Sequence, residues 1–104
     1  MKAAVLRNFS EPLSVEDVPI PKIKNDEVLI KVKACGMCGT DIKIWSGHKK
    51  VKELPLIMGH EPAGEVVELG HGVKDLKTGD RGIAHFYLSC GHCIYCKTNR
   101  ETLC

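Results

Sequence analysis

The closing stretch SCGHCIYCKTNRETLC, from Ser89 to Cys104, restricts most strongly how this chain can fold. Its cysteines, Cys90, Cys93, Cys96 and Cys104, follow C-x2-C-x2-C-x7-C. A two-residue spacer lets the chain curl so that successive thiolates face one point. Four thiolates ~2.3 Å from one Zn²⁺ then make a closed tetrahedral site that admits neither water nor substrate. The favoured reading is therefore a structural zinc that ties residues 90–104 into a lobe. Lys97 and Arg100 fall inside the loop, placed to offset the negative charge of the thiolates. Other readings compete less well. A thioredoxin-like centre needs one C-x-x-C and no further cysteines, and disulfides at such short separations strain the geometry. His92 could replace one sulfur as a ligand, though four cysteines already satisfy the metal. Cysteine count leaves an iron–sulfur cluster open, although the spacing matches neither common ferredoxin pattern.

Clustered cysteines mean different things in different compartments. The N-terminal MKAAVLRNF has an apolar run too short for a signal peptide, and no stretch approaches the ~20 apolar residues of a membrane span. A reducing, cytoplasmic setting is expected, where metal or redox chemistry is favoured over disulfides. The formal net charge of +2 is too balanced to argue for nucleic acid. The lysines are also scattered rather than gathered with stacking aromatics.

Alternation is clearest in EVLIKVKA, where Val28, Ile30, Val32 and Ala34 oppose Lys31 and Lys33, the pattern of a half-buried strand. Segments 2–7, 13–18, 64–70 and 79–87 read as further short strands. Pro12, Pro19 and Pro21 punctuate between them, since a central strand does not tolerate proline. One helix is expected in CGTDIKIWSG, with Thr40 and Asp41 suited to its start and Gly47 to its stop. At 104 residues, with only five aromatics, the chain can build one modest aliphatic core. Many short strands joined by Gly/Pro turns indicate a mainly β barrel or sandwich.

A second constellation joins CGMCGTD to GHE some twenty residues later and contains Cys38, Thr40, Asp41, His60 and Glu61. Thiolate, imidazole and carboxylate form the mixed ligand set of zinc sites that keep an open position. Spacing alone also allows plainer readings. His60 and Glu61 could be a surface pair, and Cys35 with Cys38 a redox pair or merely small buried residues.

The run GHEPAGEVVELGHGV, Gly59 to Val73, reads G-H-E-x2-G-x5-G-x2-V and resembles the signature of the zinc-dependent medium-chain alcohol dehydrogenases. MKAAVL, VLIKVKACGMCGTD, GDR and the spaced terminal cysteines occur in that family's order, so the resemblance spans the whole chain and leans to the sorbitol and threonine dehydrogenase side. It implies a GroES-like β-barrel with a short helix and a zinc-binding lobe. Cys38 and His60 would be catalytic zinc ligands, and Glu61 would bind that metal directly or through water as the site changes state. Thr40 would relay the proton of the zinc-bound oxygen, and Asp41 would fix the tautomer of His60. Cys35 is not a ligand position in the family. The implied reaction is hydride transfer between an alcohol or polyol and NAD or NADP. The histidine that ends the relay in many members, five residues beyond the cysteine ligand, is here Lys43. His48 lies near it in sequence, and Ile44 and Trp45 would form at most part of one substrate wall.

The chain contains no G-x-G-x-x-G following a strand, so no Rossmann domain is expected within it. The expectation is residues 1–104 as a truncated N-terminal part of the catalytic domain, including the zinc lobe 90–104. Alone it would bind zinc but be inactive, and the full-length enzyme would be a homo-oligomer. The alternative is a non-catalytic, zinc-stabilised interaction module with a co-chaperonin-like barrel.

Overall fold

A computed structural model describes all residues, 1–104. The chain is mainly β. Strands β1 (Lys2–Leu6), β2 (Ser14–Asp17), β3 (Val28–Gly36), β4 (Leu56–Ile57), β5 (Glu61–Leu69) and β6 (Arg81–Ile83) are interrupted by helix α1 (Gly39–Trp45). Helix α2 (Ile94–Lys97) and a 3-10 turn at Glu101–Leu103 close the chain. The strands divide into two antiparallel three-stranded sheets, ordered β2-β1-β4 and β3-β5-β6.

In the first sheet Lys2 pairs with Asp17 and Val5 with Ser14. Val5 and Leu6, successive residues on opposite faces of β1, are among the few buried side chains. Arg7, where β1 enters the loop, is tied to Glu16 of β2 by two parallel bonds, Nε to Oε1 at 2.7 Å and Nη2 to Oε2 at 2.6 Å. Pro12, Pro19 and Pro21 all fall outside the strands.

The second sheet is built on the β3–β5 pair, which runs from Val28 opposite Leu69 to Gly36 opposite Glu61. Two register shifts interrupt it, between Leu29 and Ile30 and between Val32 and Ala34. One extra residue in a strand kinks it and re-aims the side chains beyond the kink, and both strands lead towards the second constellation at their Gly36–Glu61 end. The 79–87 segment is shorter than the sequence pattern suggests. Only Arg81–Ile83 is strand, because Ile83 opposite Ala63 is the last register pair. One further bond, Ala84 N–H to the Pro62 carbonyl at 3.0 Å, continues the pairing before the irregular run His85–Leu88.

Helix α1 is where the sequence placed it, but its cap is Cys38 rather than Thr40 or Asp41. Cys38 is extended (φ −121°, ψ 174°) and its Sγ accepts the Thr40 N–H at 3.3 Å. Asp41 Oδ2 reaches back to accept the Cys38 N–H at 2.9 Å, which completes a capping box. At the other end the Trp45 indole donates to the Glu11 carbonyl, and the Trp45 carbonyl accepts from Ser10 N–H, both at 2.7 Å. The β1–β2 loop thereby anchors the helix.

Candidate metal centres

The terminal cysteines converge. Cys93 caps α2 and Cys96 lies within it, while the 3-10 turn brings Cys104 back beside Cys90. The donor atoms of all four lie within 4.8 Å of one another. Cys93 Sγ and Cys96 Sγ are 3.6 Å apart, and Cys90 Sγ and Cys96 Sγ 3.9 Å. Four sulfurs ~2.3 Å from a tetrahedral zinc would stand ~3.8 Å from one another, so this cradle fits the ion. All six cysteines of the chain are free thiols.

Backbone amides, rather than basic side chains, face the sulfurs. Cys90 N–H donates to Cys104 Sγ at 3.3 Å and Cys93 N–H to Cys90 Sγ at 3.4 Å. Arg100 instead lies over the Tyr95 ring, 5.4 Å from its centroid, and its Nε donates to Thr98 Oγ1. His92 Nδ1 donates to the Cys90 carbonyl at 2.7 Å, which turns its ring to the backbone. The environment splits the thiols. Hydrogen bonds from the His92 and Cys93 amides bring Cys90 down to about 6, whereas burial pushes Cys96 up to about 11.

The second cluster gathers Cys38, Asp41 and His60. Cys38 Sγ is 3.1 Å from His60 Nε2, and Asp41 Oδ1 is 3.2 Å from His60 Nδ1. Asp41 is buried, and its Oδ1 is close to the imidazole without meeting hydrogen-bond geometry, which leaves it an unsatisfied buried acceptor. Such an atom is costly to bury without a partner. A cation held at Sγ and Nε2 would put the imidazole proton on Nδ1, facing this oxygen. The donor chemistry and the orphaned acceptor together fit a bound zinc.

Glu61 stands outside this cluster. Its carboxylate lies against Gly36, directly opposite on β3, where even a Cβ would collide with it. Cys35 is also turned away: its thiol donates to the Gly36 carbonyl at 3.6 Å and packs on Gly59. Gly59 has φ +106°, and a side chain there would come within 2.7 Å of Cys35 Sγ. Glycine therefore suits both the backbone and the space of the residue that delivers His60. Lys43 is exposed, and His48 bonds Ser46 Oγ at 2.7 Å.

Sequence reasoning missed Phe86. Its ring meets His60 edge to face, with centroids 5.7 Å apart, stacks with His85 and lies tilted against Tyr87. No local pattern distinguishes it from the strand residues before it. The β5–β6 register, continued past Ile83 opposite Ala63, leads to Phe86 beside His60, a pairing that only the sheet defines.

Comparison with known proteins agrees with this architecture. The family profile described as the alcohol dehydrogenase GroES-like domain matches residues 24–104. An alcohol dehydrogenase of Geobacillus stearothermophilus is 53% identical over 106 residues, covering 100% of this chain and 32% of its own length. The sorbitol dehydrogenase of Bacillus subtilis is 44% identical over 107 residues, covering 100% of this chain and 30% of its own. The cobalt- and zinc-bound thermostable alcohol dehydrogenase of Pyrobaculum aerophilum superposes with a TM-score of 0.91 at 36% identity, over 100% of this chain and 32% of its own. The chain thus spans about a third of the length of the relatives it matches. By sequence, profile and fold, it belongs to the zinc-dependent medium-chain alcohol dehydrogenase family, as its N-terminal GroES-like domain.

Proposed function

We propose that this chain is the metal-binding part of the catalytic domain of an NAD(P)-linked dehydrogenase that interconverts an alcohol or polyol with its aldehyde or ketone. The observation that carries the reading is the Cys38 Sγ to His60 Nε2 approach of 3.1 Å, with Asp41 buried behind the imidazole. A closed structural module has no use for such a half-open set, which favours the enzyme over an interaction domain. Zinc at this cluster would supply Lewis acidity, polarising a substrate oxygen and lowering the pKa of an alcohol.

The residues around it have separable tasks. Cys38 presents Sγ, which accepts from the Thr40 amide, and His60 presents Nε2 while Asp41 holds its opposite face. Thr40 lies in the first turn of α1, where its hydroxyl can pass a substrate proton onward. With Lys43 exposed, the outer end of that path runs through water. Phe86 forms an apolar wall beside His60. In the complete reaction the alcohol loses a hydride to the nicotinamide and a proton to solvent by way of Thr40, leaving the carbonyl product. The four-cysteine lobe holds structural zinc and takes no part in this chemistry.

The chain alone is expected to bind zinc without turnover. The full-length enzyme is proposed as a cytoplasmic homo-oligomer, and no helix here is long and apolar enough to cross a membrane. Cobalt substitution tests the division of labour. Imidazole should shift the visible spectrum of cobalt at Cys38–His60, because an open position accepts it, and leave cobalt in the cysteine lobe unchanged. Equal insensitivity of both would contradict an open catalytic site.

A further inference from the structure

We propose that the β1–β2 loop, latched to Trp45, is a positioning device for the Cys38–His60 site, fixing the orientation of α1 from its far end. The inference rests on the metal-site reading above. Helix α1 has seven residues, far short of the ~12–15 at which a helix begins to hold itself in water. Packing does not hold it either, since neither sheet lies broadly against it and Asp41 is its one buried residue. What remains is the ties at its two ends. At the N-terminal end, Cys38 Sγ and Asp41 Oδ1 face the two nitrogens of His60.

The C-terminal end is held from the first hairpin. A helix leaves its last four carbonyls without an internal partner. Those of Ile42, Lys43 and Ile44 are met locally, by the amides of Ser46, Lys49 and Gly47. The Trp45 carbonyl instead takes the Ser10 N–H at 2.7 Å. The Trp45 indole donates to the Glu11 carbonyl at 2.7 Å, and the Phe9 ring lies over Gly47, 3.4 Å from where a Cβ would stand. Ser10 adopts φ +61°, a left-handed conformation that a residue with a side chain takes only where its surroundings impose it. The grip on Trp45 is what this strained loop achieves. A helix only ~10 Å long turns as one body, so slack at Trp45 is felt at Cys38. Releasing the latch loosens the 3.1 Å approach of Cys38 Sγ to His60 Nε2. The coupling is reciprocal, and metal held by that pair tightens the latch.

The test opens the latch without altering α1. Ser10→Pro does this, because proline has no N–H and cannot take a positive φ. Arg7→Gln is the control, since it cuts another tie of the same hairpin, to Glu16, and leaves the contacts of α1 intact. Both are compared in the 104-residue chain with zinc in its cysteine lobe. Cobalt titration of the second site should show Ser10→Pro weakening binding on the order of tenfold, a coupling typical of groups joined through one backbone element. Its visible bands should shift as the ligand geometry relaxes, while Arg7→Gln keeps the affinity and bands of the unsubstituted chain. Unchanged affinity in Ser10→Pro, or an equal loss in both variants, would overturn the proposal. Trp45→Phe keeps a ring but loses the indole donor, and should weaken cobalt binding less than Ser10→Pro. If Ser10→Pro does not fold, Trp45→Phe carries the comparison, and cobalt affinity unchanged there refutes the latch. Zinc at the second site should also slow hydrogen exchange of the Ser10 amide and the Trp45 indole; unchanged exchange contradicts the coupling. Absence of any second cobalt in the unsubstituted chain would refute the metal-site reading instead. Exchange of the Cys38 amide, bonded to Asp41 Oδ2 in the cap, then decides the latch by itself. Faster exchange in Ser10→Pro than in Arg7→Gln supports it, and equal rates refute it.

Discussion

Cys38 serves two structures at once, as the cap of α1 and as half of the sulfur–imidazole pair. Asp41 is divided in the same way, with Oδ2 on the Cys38 amide and Oδ1 towards His60. Replacing Asp41 by alanine should therefore cost about 1 kcal/mol through loss of its half of the capping box. Urea unfolding of the chain with zinc in its cysteine lobe and none at the second site would measure it. A second prediction concerns the lobe without metal. With Cys90 down at about 6 and Cys96 up at about 11, a neutral solution holds Cys90 mainly as thiolate and Cys96 as thiol. Thiolates are the nucleophiles, so iodoacetamide at about pH 7.5 should label Cys90 well before Cys96, as read by peptide mass spectrometry. Lowering the pH below about 6 should erase the preference. Zinc should protect all four.

At the scale of elements, the first hairpin and α1 hold each other through Ser10, Glu11 and Trp45. The Arg7–Glu16 clamp beside the hairpin loop carries a pH signature. Hydrogen bonds from Arg7 and then Ser14 hold the Glu16 carboxyl down at about 2. A carboxyl depressed in the folded state contributes stability that is complete above the ordinary carboxylate range of ~4.3. That contribution fades as the pH falls towards about 2. NMR titration of Glu16 should find this low midpoint in the native chain and a return towards ~4.3 in Arg7→Gln. Much of this level was legible in the sequence. Alternation marked β3, prolines bounded the strands, and cysteine spacing marked the lobe. The two-residue β4 was not legible, because its Leu56 and Ile57 gain their partners only from β1. Nor was the role of Phe86, or the place of Glu61 against Gly36. Both depend on which residues face each other across the sheet, and periodicity along one strand does not encode that.

The whole molecule is looser than its length suggests. Its radius of gyration is 15.7 Å, whereas a compact chain of about 100 residues has ~13 Å. Only six of the 104 residues are buried. Val32, Ile83 and Leu88 are 54%, 82% and 96% exposed, so apolar faces that alternate correctly along the strands remain uncovered within this chain. A small core makes metal a large share of the stability, since structural zinc is worth on the order of 10 kcal/mol to a small domain. Chelation should accordingly lower Tm and the cooperativity of unfolding, visible by circular dichroism and calorimetry. The central claim is that the conspicuous four-cysteine cluster is the structural site and the quieter Cys38–His60 pair the reactive one. Zinc retained per chain after extensive gel filtration tests it most directly, measured for the unsubstituted chain, Cys104→Ser and Cys38→Ser. About one tightly held ion is expected in the unsubstituted chain and in Cys38→Ser, and almost none in Cys104→Ser. Loss of that ion in Cys38→Ser, with retention in Cys104→Ser, would reverse the assignment.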